Sequence, residues 1–272
     1  MPGRLVFHAN REGRHRLYTL DLTTGVVGQL TSGVNYHDED AVVSPDGTRV
    51  AFTTTRFDSR TWDIAVIDTK SGDVRRVTTH LAFDREAAWS PDGLSLLFSS
   101  DREGTQAVFR MSLDTAAIVR VSPPPERALM PAASPDGRSV AYTMGTPDGF
   151  RLVVQNLSTG VVRTLTNLGD AAEPQWSPDG SQLAYTRLSP SGSLIEIVTL
   201  ATGAVWPLAV EGLLDAREPA WSPDGEWIAV AGSVVPADDE DWDLVALRID
   251  PPAAFRLTGG AADDRAPSWI PR

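Results

Sequence analysis

The sequence predicts an all-β chain folded as a six-bladed β-propeller of four-stranded antiparallel blades. Three observations predict it: a tetrapeptide recurring at a near-constant period, short apolar segments placed regularly around each copy, and two chain ends that add up to one further unit. Ser-Pro-Asp-Gly occurs five times, with Asp46, Asp92, Asp136, Asp179 and Asp224 separated by 46, 44, 43 and 45 residues. A period of about 45 residues containing several strands is that of a propeller blade.

Each element follows from local chemistry. In the tetrapeptide, proline presets φ for the second position of a tight turn, Asp suits the third, and Gly takes the φ > 0 position. A short apolar strand precedes it (Ala87-Ala88-Trp89, Gln175-Trp176, Ala220-Trp221), and a second follows it (Val50-Ala51-Phe52, Leu96-Leu97-Phe98, Val140-Ala141-Tyr142, Leu183-Ala184-Tyr185, Ile228-Ala229-Val230). A third strand (Ile64 to Ile67, Leu152 to Val154) leads to a Thr-Gly or Ser-Gly turn (Thr24-Gly25, Ser71-Gly72, Thr159-Gly160, Thr202-Gly203). A fourth then closes the unit: Val74 to Val77, Val161 to Leu165, Val205 to Leu208.

The ends set the blade count. Gly3 to Phe7 aligns with the second strand at Gly47 to Phe52, whereas Ala266 to Pro271 aligns with the first strand at Glu173 to Pro178. Residues 1–272 therefore read as one domain, its last blade assembled from about 1–31 plus 262–272, a closure that leaves no open ring edge. Because Gly3 already belongs to a strand, no leader is expected ahead of the fold. The protein is expected to be cytoplasmic if the sequence is complete, and periplasmic or secreted if a signal was removed.

Composition narrows the chemistry. The absence of cysteine excludes thiol catalysis, disulfides and zinc-thiolate sites. Lys70 is the one lysine among 24 basic residues and falls in a turn, a poor setting for an activated amine. No run approaches 18 apolar residues, so no membrane insertion is expected.

The repeat Trp-Ser-Pro-Asp-Gly, the Ala-Phe or Ala-Tyr strand, the loop Ser99-Ser100-Asp101-Arg102-Glu103-Gly104 and the Leu-Thr endings (Leu30-Thr31, Leu165-Thr166, Leu257-Thr258) resemble the six-bladed propeller of the TolB family. The resemblance covers all six blades. It implies a periplasmic protein that binds partner proteins, with the partner entering the mouth of the central channel. The chain is expected to depart from that family by lacking its separate N-terminal domain and an export signal.

Charge is distributed unevenly. When residues are assigned by the repeat alignment, the loops joining strands two and three and those joining consecutive blades carry the whole formal net charge of −12. Both loop classes emerge on one face. Such a face repels nucleic acid and steers a cation or a basic polypeptide toward it; alternatively, the acids serve solubility alone. Three residues before the aligned first-strand Trp lie Asp40, Glu86, Met130, Glu173, Glu218 and Ala266, so the carboxylates of Asp40, Glu86, Glu173 and Glu218 are expected at the channel mouth. They are candidates for binding a partner, or Ca²⁺ or Mg²⁺ through oxygen ligands, though Arg85, Arg217 and Arg265 could pair with them. No cofactor is required by this reading.

The position opening the third strand reads His15, Trp62, Gln106, Phe150, Ser193 and Trp242. Trp62, Phe150 and Trp242 are candidate partner anchors, Trp242 beside the acidic loop Asp238-Asp239-Glu240-Asp241; the alternative is packing between blades. Trp89, Trp176, Trp221 and Trp269 read as core. No nucleophile elbow, His-Glu-x-x-His, phosphate loop or EF-hand spacing is present. Of the four histidines, His37 is best placed for acid–base work, while His8, His15 and His80 show no ligand spacing. The expectation is a monomeric, non-enzymatic propeller that binds a basic or peptide partner at its acidic mouth. The alternatives are a metal-dependent lyase or hydrolase using His37 with Asp40 and Glu86, and a scaffold with no specific channel ligand.

Overall fold

The computed structural model describes residues 3–166, 170–234 and 242–271. These form six four-stranded antiparallel sheets, with no helix long and apolar enough to cross a membrane among the described residues. We number the blades by their first strands: Asp38–Val43, Asp84–Trp89, Ala128–Ala133, Asp170–Trp176, Leu213–Trp221 and Asp264–Ile270. Each first strand contacts the first strands of both neighbouring blades, which makes these six the inner wall of a closed ring. The acidic loop Asp238-Asp239-Glu240-Asp241 lies outside the described residues.

Closure is made as the aligned ends predict. Asp264–Ile270 pairs with Arg4–Ala9, which continues to Arg16–Asp21 and Val27–Gln29, so blade 6 joins the two ends of the chain. Its register sets Leu5 against Trp269 and Ala9 against Asp264. The core lies between blades rather than within them: Ala88, Leu97 and Val108 of blade 2 pack on Ala128, Val140, Tyr142 and Val153 of blade 3, and Val6 and Leu17 of blade 6 pack on Ala41, Val50 and Phe52 of blade 1.

The recurring motifs each supply a specific bond. In the tetrapeptide turns the serine hydroxyl donates to the aspartate carboxylate at 2.5–2.6 Å, and the same serine oxygen accepts the amide five residues on. The glycine takes a φ between 67° and 74°, where a Cβ would be strained. The first-strand indoles reach backwards: Trp89, Trp176, Trp221 and Trp269 donate Nε1–H to the carbonyls of Val42, Ala132, Gln175 and Ala220 in the preceding blade. Trp89 and Trp269 are buried, Trp176 and Trp221 partly so. The Leu-Thr endings are equally purposeful. Thr31, Thr166 and Thr258, and Thr78 and Ser122 at the equivalent positions of blades 1 and 2, accept an amide near the start of their blade's third strand.

Candidate functional site at the channel mouth

All six first strands carry a β-bulge near their start. The bulged residues are Asp40, Glu86, Met130, Glu173, Glu218 and Ala266, every one at a φ between 48° and 57°. That left-handed conformation costs an L-residue roughly 1–2 kcal/mol. Five of the six bulges turn an amide toward the preceding blade, where it finds an acceptor. Met130 N–H donates to Glu86 Oε2 at 2.9 Å, Glu218 N–H to Glu173 Oε2 at 2.8 Å, and Ala266 N–H to Glu218 Oε2 at 2.7 Å. Asp40 N–H donates to His8 Nδ1 and Glu86 N–H to Thr53 Oγ1.

The predicted carboxylates therefore stitch blade to blade. Glu86 Oε2 also accepts the Ser99 hydroxyl, and Glu173 Oε2 the Thr186 hydroxyl, each at 2.6 Å. The other oxygen of each, Oε1, has no hydrogen-bond donor among the described residues. Glu218 Oε1 lies 3.4 Å from Arg265. The Asp40 carboxylate is too short to copy the arrangement. Burial pushes its pKa up to about 7, with the charges of Glu39 and Glu86 adding to the effect. Burial, then the charge of Glu173, raises Glu218 to about 7 as well. No three of these four acids bring ligand atoms within 4.8 Å of one another.

Outside this ring several of the acids expected to mark the face are paired within the protein. Asp38, Asp84 and Asp264, all buried, are held by Arg56, Arg102 and Arg11 at 2.5–2.8 Å. Asp63 is held by Arg76 and Asp243 by Arg256.

The predicted aromatic anchors sit where one blade meets the next, each partly buried and each bearing arginine on its face. The guanidinium of Arg85 lies 4.3 Å from the Trp62 ring centre, that of Arg127 5.5 Å from Phe150, and those of Arg265 and Arg217 4.7 and 5.1 Å from Trp242. Such stacks are worth about 0.5–1 kcal/mol at exposed sites and more when desolvated.

His37 is not the isolated histidine that its spacing suggests. At the junction of blades 6 and 1, His15 Nδ1 lies 2.6 Å and His37 Nδ1 3.6 Å from Glu39 Oε1. The His8 ring centre is 5.1 Å from that of His15. Ring closure brings these residues together. His8 and His15 belong to blade 6 and His37 and Glu39 to blade 1, so no linear ligand spacing announces them. His80 remains apart and exposed. Burial drops His8 to a pKa of about 3 and lowers His37. For Glu39, burial opposes the charge, but the His15 hydrogen bond and the surrounding positive groups outweigh it and hold the carboxyl below its usual range. Sequence reasoning missed Glu39 because within the first strands it compared only the position three residues before the aligned Trp, and Glu39 lies one residue earlier.

Comparison with known proteins agrees with this architecture. Residues 42–173 match the TolB beta propeller domain family. The chain is 34% identical over 115 residues to the uncharacterized peptidase YuxL of Bacillus subtilis (strain 168), covering 40% of this chain and 18% of that protein. It is 26% identical over 171 residues to the Tol-Pal system protein TolB of Francisella tularensis subsp. tularensis (strain WY96-3418), covering 60% and 38%. The matched regions thus span well under two thirds of either relative. In structure, TolB from Acinetobacter baumannii superposes with a TM-score of 0.83 at 22% identity, over 99% of this chain and 67% of that one. The repeat, the ring closed by its own two ends and these matches together show a six-bladed β-propeller that is TolB-like over residues 42–173.

Proposed function

We propose that this chain is a non-enzymatic, protein-binding propeller whose channel mouth takes a polypeptide segment of basic character. The observation that carries the reading is the way Glu86 and Glu173 are held. One oxygen of each is fixed by a hydroxyl and a neighbouring bulge amide, and the other is left for a ligand. A pre-positioned carboxylate oxygen accepts a lysine or arginine with little further loss of side-chain entropy. Around these acids, Trp62, Phe150 and Trp242 offer flat rings of the kind that dominate interface energies. The likeness to a Tol-Pal system protein favours a role in protein interaction.

The test uses substitutions that remove charge and keep the structural acceptor. In Glu86→Gln/Glu173→Gln the amide oxygens still accept the bulge N–H groups. Binding of fluorescent Lys/Arg-containing decapeptides, read by anisotropy, is expected to weaken by about tenfold or more, since a charged hydrogen bond contributes roughly 1.5–3 kcal/mol. Equal binding by the double variant and the parent would refute the site.

A second reading, a metal-dependent lyase or hydrolase at the same mouth, is favoured by the convergence of His37, His15 and Glu39. It predicts metal-dependent turnover that disappears in His37→Ala. Turnover that persists in that variant would exclude it.

A further inference from the structure

We infer that the junction of blades 6 and 1 is a binding site for one first-row divalent transition ion, held by His15, His37 and Glu39. The inference concerns residues other than the acidic ring and stands whether or not a peptide binds there. It makes no claim of turnover.

The ring repeats the same positions at each of its blade junctions. Three positions meet at every blade junction: the residue opening the third strand of one blade, and the residues three and one before the bulge residue of the next. Around the ring they read Trp62, Phe83 and Arg85; Gln106, Arg127 and Leu129; Phe150, Asp170 and Ala172; Ser193, Asp215 and Arg217; and Trp242, Asp263 and Arg265. Each of these five sets makes a contact among its own members. Arg85 stacks on Trp62, Arg127 donates to Gln106, and Asp170, Asp215 and Asp263 accept the amides of Phe150, Ser193 and Trp242. Only at the sixth junction are the three positions two imidazoles and a carboxylate, and only there, among the described residues, do three such ligand atoms converge within 4.8 Å.

The geometry is close to that of a loaded site. Ligand atoms about 2.0–2.1 Å from a tetrahedral ion lie about 3.4 Å from one another. Glu39 Oε1 is 2.6 Å from His15 Nδ1 and 3.6 Å from His37 Nδ1. The ion takes the place of the proton shared by His15 and Glu39, and that proton leaves to solvent. Glu39 is further oriented through Oε2, 3.5 Å from Arg85, whose guanidinium is itself stacked on Trp62. Partners of this kind fix a ligand's direction. The three side chains are 15–30% exposed, which leaves an entry path and at least one coordination position for water. Two imidazoles and one carboxylate suit Zn²⁺, Mn²⁺ or Fe²⁺ better than Ca²⁺ or Mg²⁺, which favour all-oxygen shells.

One contact must give way. The exposed Arg14 donates to His37 Nε2 at 2.8 Å. With an ion on Nδ1, the neutral ring carries its proton on Nε2 and cannot accept from Arg14. Arg14 therefore competes with the ion, and its removal strengthens binding.

The experiment is titration of the full chain with Co²⁺, followed by displacement with Zn²⁺, alongside thermal melts in Zn²⁺, Mn²⁺, Ca²⁺ and Mg²⁺. One equivalent of Co²⁺ is expected to give visible d–d bands that Zn²⁺ abolishes. The melting midpoint should rise by several degrees in excess Zn²⁺ or Mn²⁺ and stay in place in Ca²⁺ or Mg²⁺. His37→Ala and Glu39→Gln should weaken Co²⁺ binding roughly tenfold or more, His80→Ala should leave it intact, and Arg14→Ala should tighten it. Two outcomes overturn the inference: a parent that binds no more Co²⁺ than the His37→Ala variant, or an Arg14→Ala variant that binds more weakly than the parent. The second keeps the test decisive if changes at His37 or Glu39 impair folding.

Discussion

Removing Trp269 tests the ring closure at a single side chain. The residue is 8% exposed, packs with Leu5, Phe7 and Leu244, and donates its indole N–H to Ala220 O at 2.9 Å. Truncating a buried tryptophan to alanine costs about 3–5 kcal/mol. For a chain near this size each kcal/mol moves the melting midpoint by about 2–4 °C, so Trp269→Ala should melt about 6–20 °C lower. Trp269→Phe keeps most of the ring volume and loses the donor, which should cost about 1 kcal/mol. Deleting residues 262–272 goes further. It removes the strand paired with Arg4–Ala9, the Arg11 to Asp264 pair, the bond from Val43 N–H to Ser268, and the one from Ala266 N–H to Glu218. Together these approach the whole of the 5–15 kcal/mol that holds a typical domain folded. The assay is near-UV circular dichroism with temperature. The expected series runs parent, Phe variant, Ala variant, and a truncated chain without a cooperative transition. A truncated chain melting with the parent would sink the closure argument.

Three further outcomes follow from the same geometry. Glu218, raised from 4.5 to about 7, binds a proton more tightly folded than unfolded, so its contribution is fully present below pH 4.5 and is lost as pH rises through 7. At about 1.4 kcal/mol per pH unit the full loss is about 3 to 4 kcal/mol. His8, lowered to about 3, acts in the opposite direction between pH 3 and 6.5, so the measurement is a difference. Urea midpoints at pH 5 and pH 8 should diverge more in the parent than in Glu218→Gln, and equal divergence would contradict the assignment. Asp38→Ala leaves Arg56 without its buried partner, which should destabilise by about 3–5 kcal/mol in urea unfolding; a change under 1 kcal/mol would show the pair to be dispensable. Thr78→Val removes the acceptor of Ile64 N–H at 2.9 Å, with an expected cost of about 1–3 kcal/mol; an unchanged urea midpoint would deny the threonine at the end of the blade this role.

The fold was legible because its signals are local and repeated. Ser-Pro-Asp-Gly folds on itself through five-residue hydrogen bonds, so each copy announces a turn without help from distant residues. The aligned ends likewise imposed the sixth blade. The channel position was found for a different reason from the one that explains it. Asp40, Glu86, Glu173 and Glu218 stood out as charges, yet Met130 and Ala266 share their left-handed backbone, and the common property is the bulge. A bulge leaves no compositional trace, and its amide partner lies in another blade. The cluster of His15, His37 and Glu39 was hidden for the same physical reason. Its members meet across a blade junction, and their spacing along the chain reflects loop lengths rather than ligand geometry.

The most direct measurement of the central claim is hydrogen–deuterium exchange of the parent chain, with and without a saturating Lys/Arg-containing peptide, resolved by segment. The account predicts added protection at the entrances of the first strands, around residues 37–41, 84–88, 170–175 and 214–219, with none at the Ser-Pro-Asp-Gly turns on the opposite face. Protection confined to those turns, or no protection with any basic peptide that an acidic peptide does not equally produce, would contradict it.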